Sequence, residues 1–141
     1  MAGSSMTFTY DKHGPIKKVI AAWTSDDADG SVTGTCTKLS GHLVKAVTDP
    51  GSAAPTDNYD IAITDEEGVN VLTACQSTLA NRHTANTQEV YFLVLDAAGT
   101  PLAQSLHPVV NDALTIAVTN AGNSKTGQII LYVEGDIIGN V

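Results

Sequence analysis

The stretch Ala113-Leu114-Thr115-Ile116-Ala117-Val118-Thr119-Asn120, continuing as Ala121-Gly122-Asn123-Ser124-Lys125-Thr126-Gly127 and then Gln128-Ile129-Ile130-Leu131-Tyr132-Val133-Glu134, decides the fold class. If the first part is extended, Leu114, Ile116 and Val118 point one way while Thr115, Ala117 and Thr119 point the other. Such alternation marks a strand with one dry and one wet face. Ile129, Leu131 and Val133 repeat the pattern beyond a connection rich in Gly and Asn, residues that tolerate positive φ and make turns. The two segments are expected to form a β-hairpin whose apolar face needs a second sheet to cover it.

Working upstream, short extended segments recur. Ile16 to Thr24 places Val19, Ala21 and Trp23 on one side and Ile20 and Ala22 on the other, so a central strand with Trp23 as a core anchor is expected. The acidic run Asp26-Asp27-Ala28-Asp29-Gly30 has the Asp-x-Asp-Gly spacing of a calcium loop. Cys36 stands where a bidentate Glu would be needed, so an acidic hairpin turn is expected, with Ser31 to Thr37 as a return strand in an exposed or edge position. Leu39 to Thr48 follows, with Leu39, Leu43 and Val47 on one face and Gly41 at a bulge or close backbone approach. Asp49 to Asn58 is a loop broken by Pro50, Gly51 and Pro55. Tyr59, Ile61 and Ile63 then mark a strand paired through Asp65-Glu66-Glu67-Gly68 with Val69 to Leu72. Thr73 to Thr87 is a polar loop, Val90 to Leu95 a central strand, and Leu102 to Val110 extended with Pro108 near an edge. Thr7-Phe8-Thr9-Tyr10 is either a strand of the chain's own sheet or an arm for a neighbouring subunit.

Eight to ten short strands with little helix predict an all-β, single-domain β-sandwich, jelly-roll-like in layout. It spans residues 15–134, between an N-terminal arm of 1–14 and a C-terminal tail of 135–141. A chain of 141 residues, 43% hydrophobic and 16% charged, is long enough to bury one core without disulfides or metals.

The formal net charge of −8, with Arg82 the only arginine, argues against gripping a phosphate backbone or an anionic membrane. No nucleic-acid or membrane partner is expected. Met1 to Met6 lacks a basic start and an apolar run, so no signal peptide is expected. Cys36 and Cys75 could pair, but two buried thiols are the expected state.

Catalytic chemistry finds little purchase. His13, His42, His83 and His107 are scattered, with no metal-ligand spacing to a Cys or another His. No serine sits in a Gly-x-Ser-x-Gly elbow, and no Gly-rich loop opens a helix for phosphates. The carboxylates fall mostly in turns. No catalytic, metal or cofactor site, and no enzyme, is expected.

Taken in order, Ala22-Trp23-Thr24-Ser25, then Ala54-Pro55-Thr56-Asp57-Asn58-Tyr59-Asp60-Ile61 into Asp65 and Gly68-Val69-Asn70-Val71-Leu72, then Leu114 through Asn123, resemble small virion structural proteins of tailed bacteriophages. Among these the chain is most similar to capsid decoration (cement) proteins, from about Ile16 to Glu134. The resemblance implies a protein made in the host cytoplasm and bound to the outer capsid surface. Its partner would be the major capsid protein, whose shell it stabilises, with a homo-oligomer (dimer or trimer) expected. The arm and the tail lie outside that resemblance; candidate contact residues for capsid or neighbouring subunits are Phe8 and Tyr10 of the arm, Pro55, Arg82 and His83 of the loops, and Ile137 and Ile138 as exposed isoleucines of the tail.

Three rival readings remain open. A tail, neck or fibre-attachment component would share the architecture. A carbohydrate-binding module would show a face of exposed aromatics, against which 5% aromatic content weighs. A hydrolase would show a tight carboxylate or His cluster in a pocket.

Overall fold

The computed structural model describes residues 3–56, 59–68, 87–91 and 109–138. These residues form eight strands and no helix. The strands are β1 (Ser5–Asp11), β2 (Ile16–Thr24), β3 (Val32–Pro50), β4 (Asp60–Thr64), β5 (Gln88–Tyr91), β6 (Val109–Val110), β7 (Ala113–Thr119) and β8 (Thr126–Ile137). They pair antiparallel in the order β1-β2-β8-β3-β7-β4, with β5 and β6 also on β3.

The long strand β3 belongs to two wings. Val32 to Lys38 pair with β7, whereas Leu39 to Pro50 pair with β8. Register shifts fall between Thr35 and Lys38 and between Leu43 and Lys45, and bulges of this kind bend and twist a strand. Gly41 and Gly135 pair directly within this bend with φ of 150° and 148°. A Cβ on Gly41 would lie 2.2 Å from the Glu134 carbonyl oxygen, and one on Gly135 2.2 Å from that of Ser40. The close approach expected at Gly41 is therefore real, and it takes two glycines.

Alternation then does what the sequence implied. Val19, Ala21 and Trp23 of β2, Leu114, Ile116 and Val118 of β7, and Ile129, Leu131 and Val133 of β8 are all buried in one cluster. Ile61 and Ile63 of β4 join them, and the Trp23 and Tyr59 rings meet at 5.9 Å between centroids. The two wings thus cover each other as the layers of a β-sandwich. Each aliphatic side chain so buried contributes roughly 1.5–3 kcal/mol before conformational entropy is subtracted.

The pairing departs from expectation in several places. The opening stretch is not a hairpin: β7 pairs with β3 and β4, while β8 pairs with β2 and β3. Residues 120–125 are instead an arch between wings, with Asn120 and Ser124 at positive φ. Asp26 to Gly30 likewise arch from β2 into β3 without pairing the two strands. Ser31 to Thr37 and Leu39 to Thr48, expected as separate strands, run together in β3; Val32 is buried there, and Cys36 is the buried thiol that was expected. Val47 is only half-buried, because the shift at Leu43/Lys45 hands its core position to Ala46 and Thr48. Alternation reports which face a residue takes and is silent about which strand lies beside it.

Buried Ser25 ties the two arches together. Its hydroxyl donates to the Gly122 carbonyl at 2.6 Å and accepts the Lys125 N–H at 2.8 Å, while its own N–H donates to the Lys125 carbonyl. The acidic turn uses its carboxylates locally: Asp26 accepts the Ala28 N–H, and Asp29 accepts both the N–H and hydroxyl of Ser31. Those hydrogen bonds hold the Asp29 carboxyl below its ordinary pKa.

Of the two readings for the N-terminal segment, the structure shows the strand. β1 pairs with β2 from Ser5↔Thr24 to Asp11↔Lys18, and Met6, Phe8 and Tyr10 pack on the core. Val69 to Leu72, Thr73 to Asn86, residues 92–108 and Cys75 lie outside the described residues.

Candidate interaction surface

The faces of β2, β8 and β3 that point away from the core carry three ladders of paired residues. Residues paired directly across antiparallel strands project to the same side. One row is Ile16–Glu134–His42–Val109. The next is Lys18–Tyr132–Lys45, and the third Ile20–Ile130–Val47. A solvated sheet face ordinarily carries polar residues at such positions. Here Ile16 is 41% and Val109 75% exposed, with Ile20, Ile130 and Val47 half-buried.

The middle row is held in place by charge. The Lys18 and Lys45 ammonium groups lie 5.3 and 4.7 Å from the centroid of the Tyr132 ring, within cation–π range. Asp11 neighbours Lys18 across β1 and β2, and its carboxyl is held below the ordinary value chiefly by the His13 backbone N–H, with Lys18 contributing. At the far end of β8, exposed Glu134 and Asp136 alternate with Ile138, which is 46% exposed. Lys17 reaches Asp136 at 3.8 Å. The face is therefore apolar with interleaved charges of both signs.

The expected contact residues are distributed unevenly. Ile138 lies on this face, whereas Ile137 does not: paired with Leu39 on the inner side, it is 8% exposed and belongs to the core. Both isoleucines are expected to be exposed in a tail beginning at Gly135, but β8 continues through that glycine. Pro55 is also buried in its own chain. Phe8 and Tyr10 are half-buried on β1, their rings stacked at 6.5 Å and 17°. They line a groove of ≈ 530 Å³ with Thr9, Lys12 and His13. The Tyr10 hydroxyl accepts the Thr37 N–H at 3.0 Å, next to the bulge in β3. Arg82 and His83 lie outside the described residues. Sequence patterning does not single out Val109 or Tyr132: Tyr132 has a signal, an aromatic at an outward position of alternating β8, while the two residues of β6 offer none for Val109.

Two features touch the rival readings. The carboxylates of Asp65, Glu67 and Asp112 gather within 4.8 Å of one another where the turn after β4 meets the entry to β7. Repulsion, first from Asp112, raises the Glu67 pKa above its ordinary value. Cys36 is a free thiol in the core, its pKa pushed up by burial.

No family model matches the chain, and no curated protein matches it. One solved structure that it resembles is a chain in the structure of infectious bursal disease virus Gx strain, at 15% identity and a TM-score of 0.34. The match covers 94% of this chain and 32% of that one, so this chain spans about a third of its length. At that score the two do not establish a common fold.

Proposed function

We propose that the chain is a non-enzymatic structural protein of a virion, most specifically a decoration (cement) protein of a tailed-phage head. Its outward face on β2, β8 and β3 binds the outer surface of the major capsid protein lattice. The observation that carries this reading is the partly exposed ladder of Ile16, Ile20, Ile130, Val47 and Val109, an apolar surface that a partner would desolvate. Many copies adding modest contacts at capsomer seams favour the intact shell, because only the assembled lattice offers the site. The scarcity of basic residues suits a position away from the genome. The order of the sequence phrases from Ala22 to Asn123 supports the same family reading.

The test is occupancy on purified shells. Ile16→Glu combined with Val109→Glu changes two exposed side chains, so the fold persists, and binding is expected to fall at least tenfold. Full occupancy by the double variant would remove the outward face from the proposal. The alternative, a neck, tail or fibre-attachment component, uses the same face on a different partner and is separated by the protein's location on particles.

A further inference from the structure

We infer that the edge of β1 away from β2 is a self-pairing edge, joining two copies antiparallel about a two-fold axis at Phe8. This deepens the homo-oligomer part of the proposal above and is tested on free protein, apart from shell binding. β1 ends the strand order, and among the described residues nothing pairs with its second edge. Natural edge strands are protected by lysines, prolines, bulges or brevity. Seven residues, Ser5-Met6-Thr7-Phe8-Thr9-Tyr10-Asp11, pair with β2 in unbroken register and contain no such device before Asp11.

The sequence of β1 is complementary to itself in one register. With Phe8 opposite the second copy's Phe8, Met6 meets Tyr10, Thr7 meets Thr9, Ser5 meets Asp11 and Ser4 meets Lys12. Apolar residues face apolar ones on the inner side, hydroxyls face hydroxyls on the outer side, and each charge faces a serine. A shift by two residues toward the C-terminal end sets Lys12 against Met6; a shift the other way sets Tyr10 against Ser4. Paired side chains in these positions contribute roughly 0.2–1 kcal/mol each, and like charges would subtract as much. The groove beside Phe8 and Tyr10 supplies the space that the second copy's Met6 and Phe8 would fill. On a chain of net charge −8, this edge is a place where two copies can meet without opposing carboxylates.

Such pairing has a consequence for binding. A two-fold axis perpendicular to the sheet keeps Thr7 and Thr9 of both copies on one side. Both outward faces then look the same way, and one dimer presents two gripping faces to a lattice, with the gain in avidity that linked sites provide.

Sedimentation equilibrium of the full chain tests the inference. The natural protein is expected at twice the mass of one chain. Thr7→Lys with Thr9→Lys, both exposed, sets like charges across the seam twice and is expected to raise the dissociation constant about tenfold. Thr7→Glu with Thr9→Glu should do the same, and an equimolar mixture of the two variants should recover a heterodimer. A monomeric natural protein, a dimer indifferent to either double variant, or a mixture that stays monomeric would each overturn it.

Discussion

Gly41 and Gly135 face each other across β3 and β8, and a Cβ added to either would lie 2.8 Å from the other's Cα. This pair sits where β3 passes from one wing to the other, so the sandwich closes through a point where no side chain fits.

Alanine at either position is strained twice, by a positive φ and by a Cβ 2.2 Å from a carbonyl oxygen. Gly41→Ala or Gly135→Ala should each cost about 3 kcal/mol, read as a lowered urea midpoint. A variant as stable as the natural protein would mean that the strands do not approach so closely.

Ser25 offers a second check. Ser25→Ala leaves the Gly122 carbonyl and the Lys125 N–H without the hydroxyl between the arches, and should cost about 2 kcal/mol. A urea midpoint unchanged by Ser25→Ala would mean that the hydroxyl does not bridge the arches.

For β1, Tyr10→Phe removes only the oxygen that accepts the Thr37 N–H. Stability should drop by about 1 kcal/mol, and hydrogen exchange at Thr37 should quicken while the β2–β8 amides are unaffected. Unchanged exchange at Thr37 would detach β1 from the second wing.

The acid cluster sets a pH dependence. Asp112, Asp65 and Glu66 raise the folded-state pKa of Glu67 above its ordinary value of 4.5, so ionising Glu67 disfavours the folded state. No such penalty exists while Glu67 is protonated in both states; it develops as pH rises through 4.5 and is complete above the folded-state pKa. Glu67→Gln should therefore raise the melting temperature at pH 7, with the gain vanishing below pH ~4. A constant gain across that range would assign the effect to something other than charge.

The layers of this fold were legible in period-two alternation: Leu114, Ile116, Val118, Ile129, Leu131 and Val133 are buried as their spacing requires. Strand neighbours were not, because β3 separates β7 from β8 through contacts distant in sequence. The same limit hid the interaction face. Ile16, Glu134, His42 and Val109 form one row only after four strands are set in register, and nothing local to Val109 marks it. Ile137 and Ile138 differ by one residue and go to opposite faces, which the strand boundary decides.

The most direct measurement is copy number and position on purified particles that carry the chain, by quantitative mass spectrometry together with electron cryomicroscopy. Hundreds of copies on the outer shell, with β2, β8 and β3 turned toward the capsid lattice, are predicted. A dozen or fewer copies at a neck or tail, or a lattice-bound protein with that face open to solvent, would contradict it.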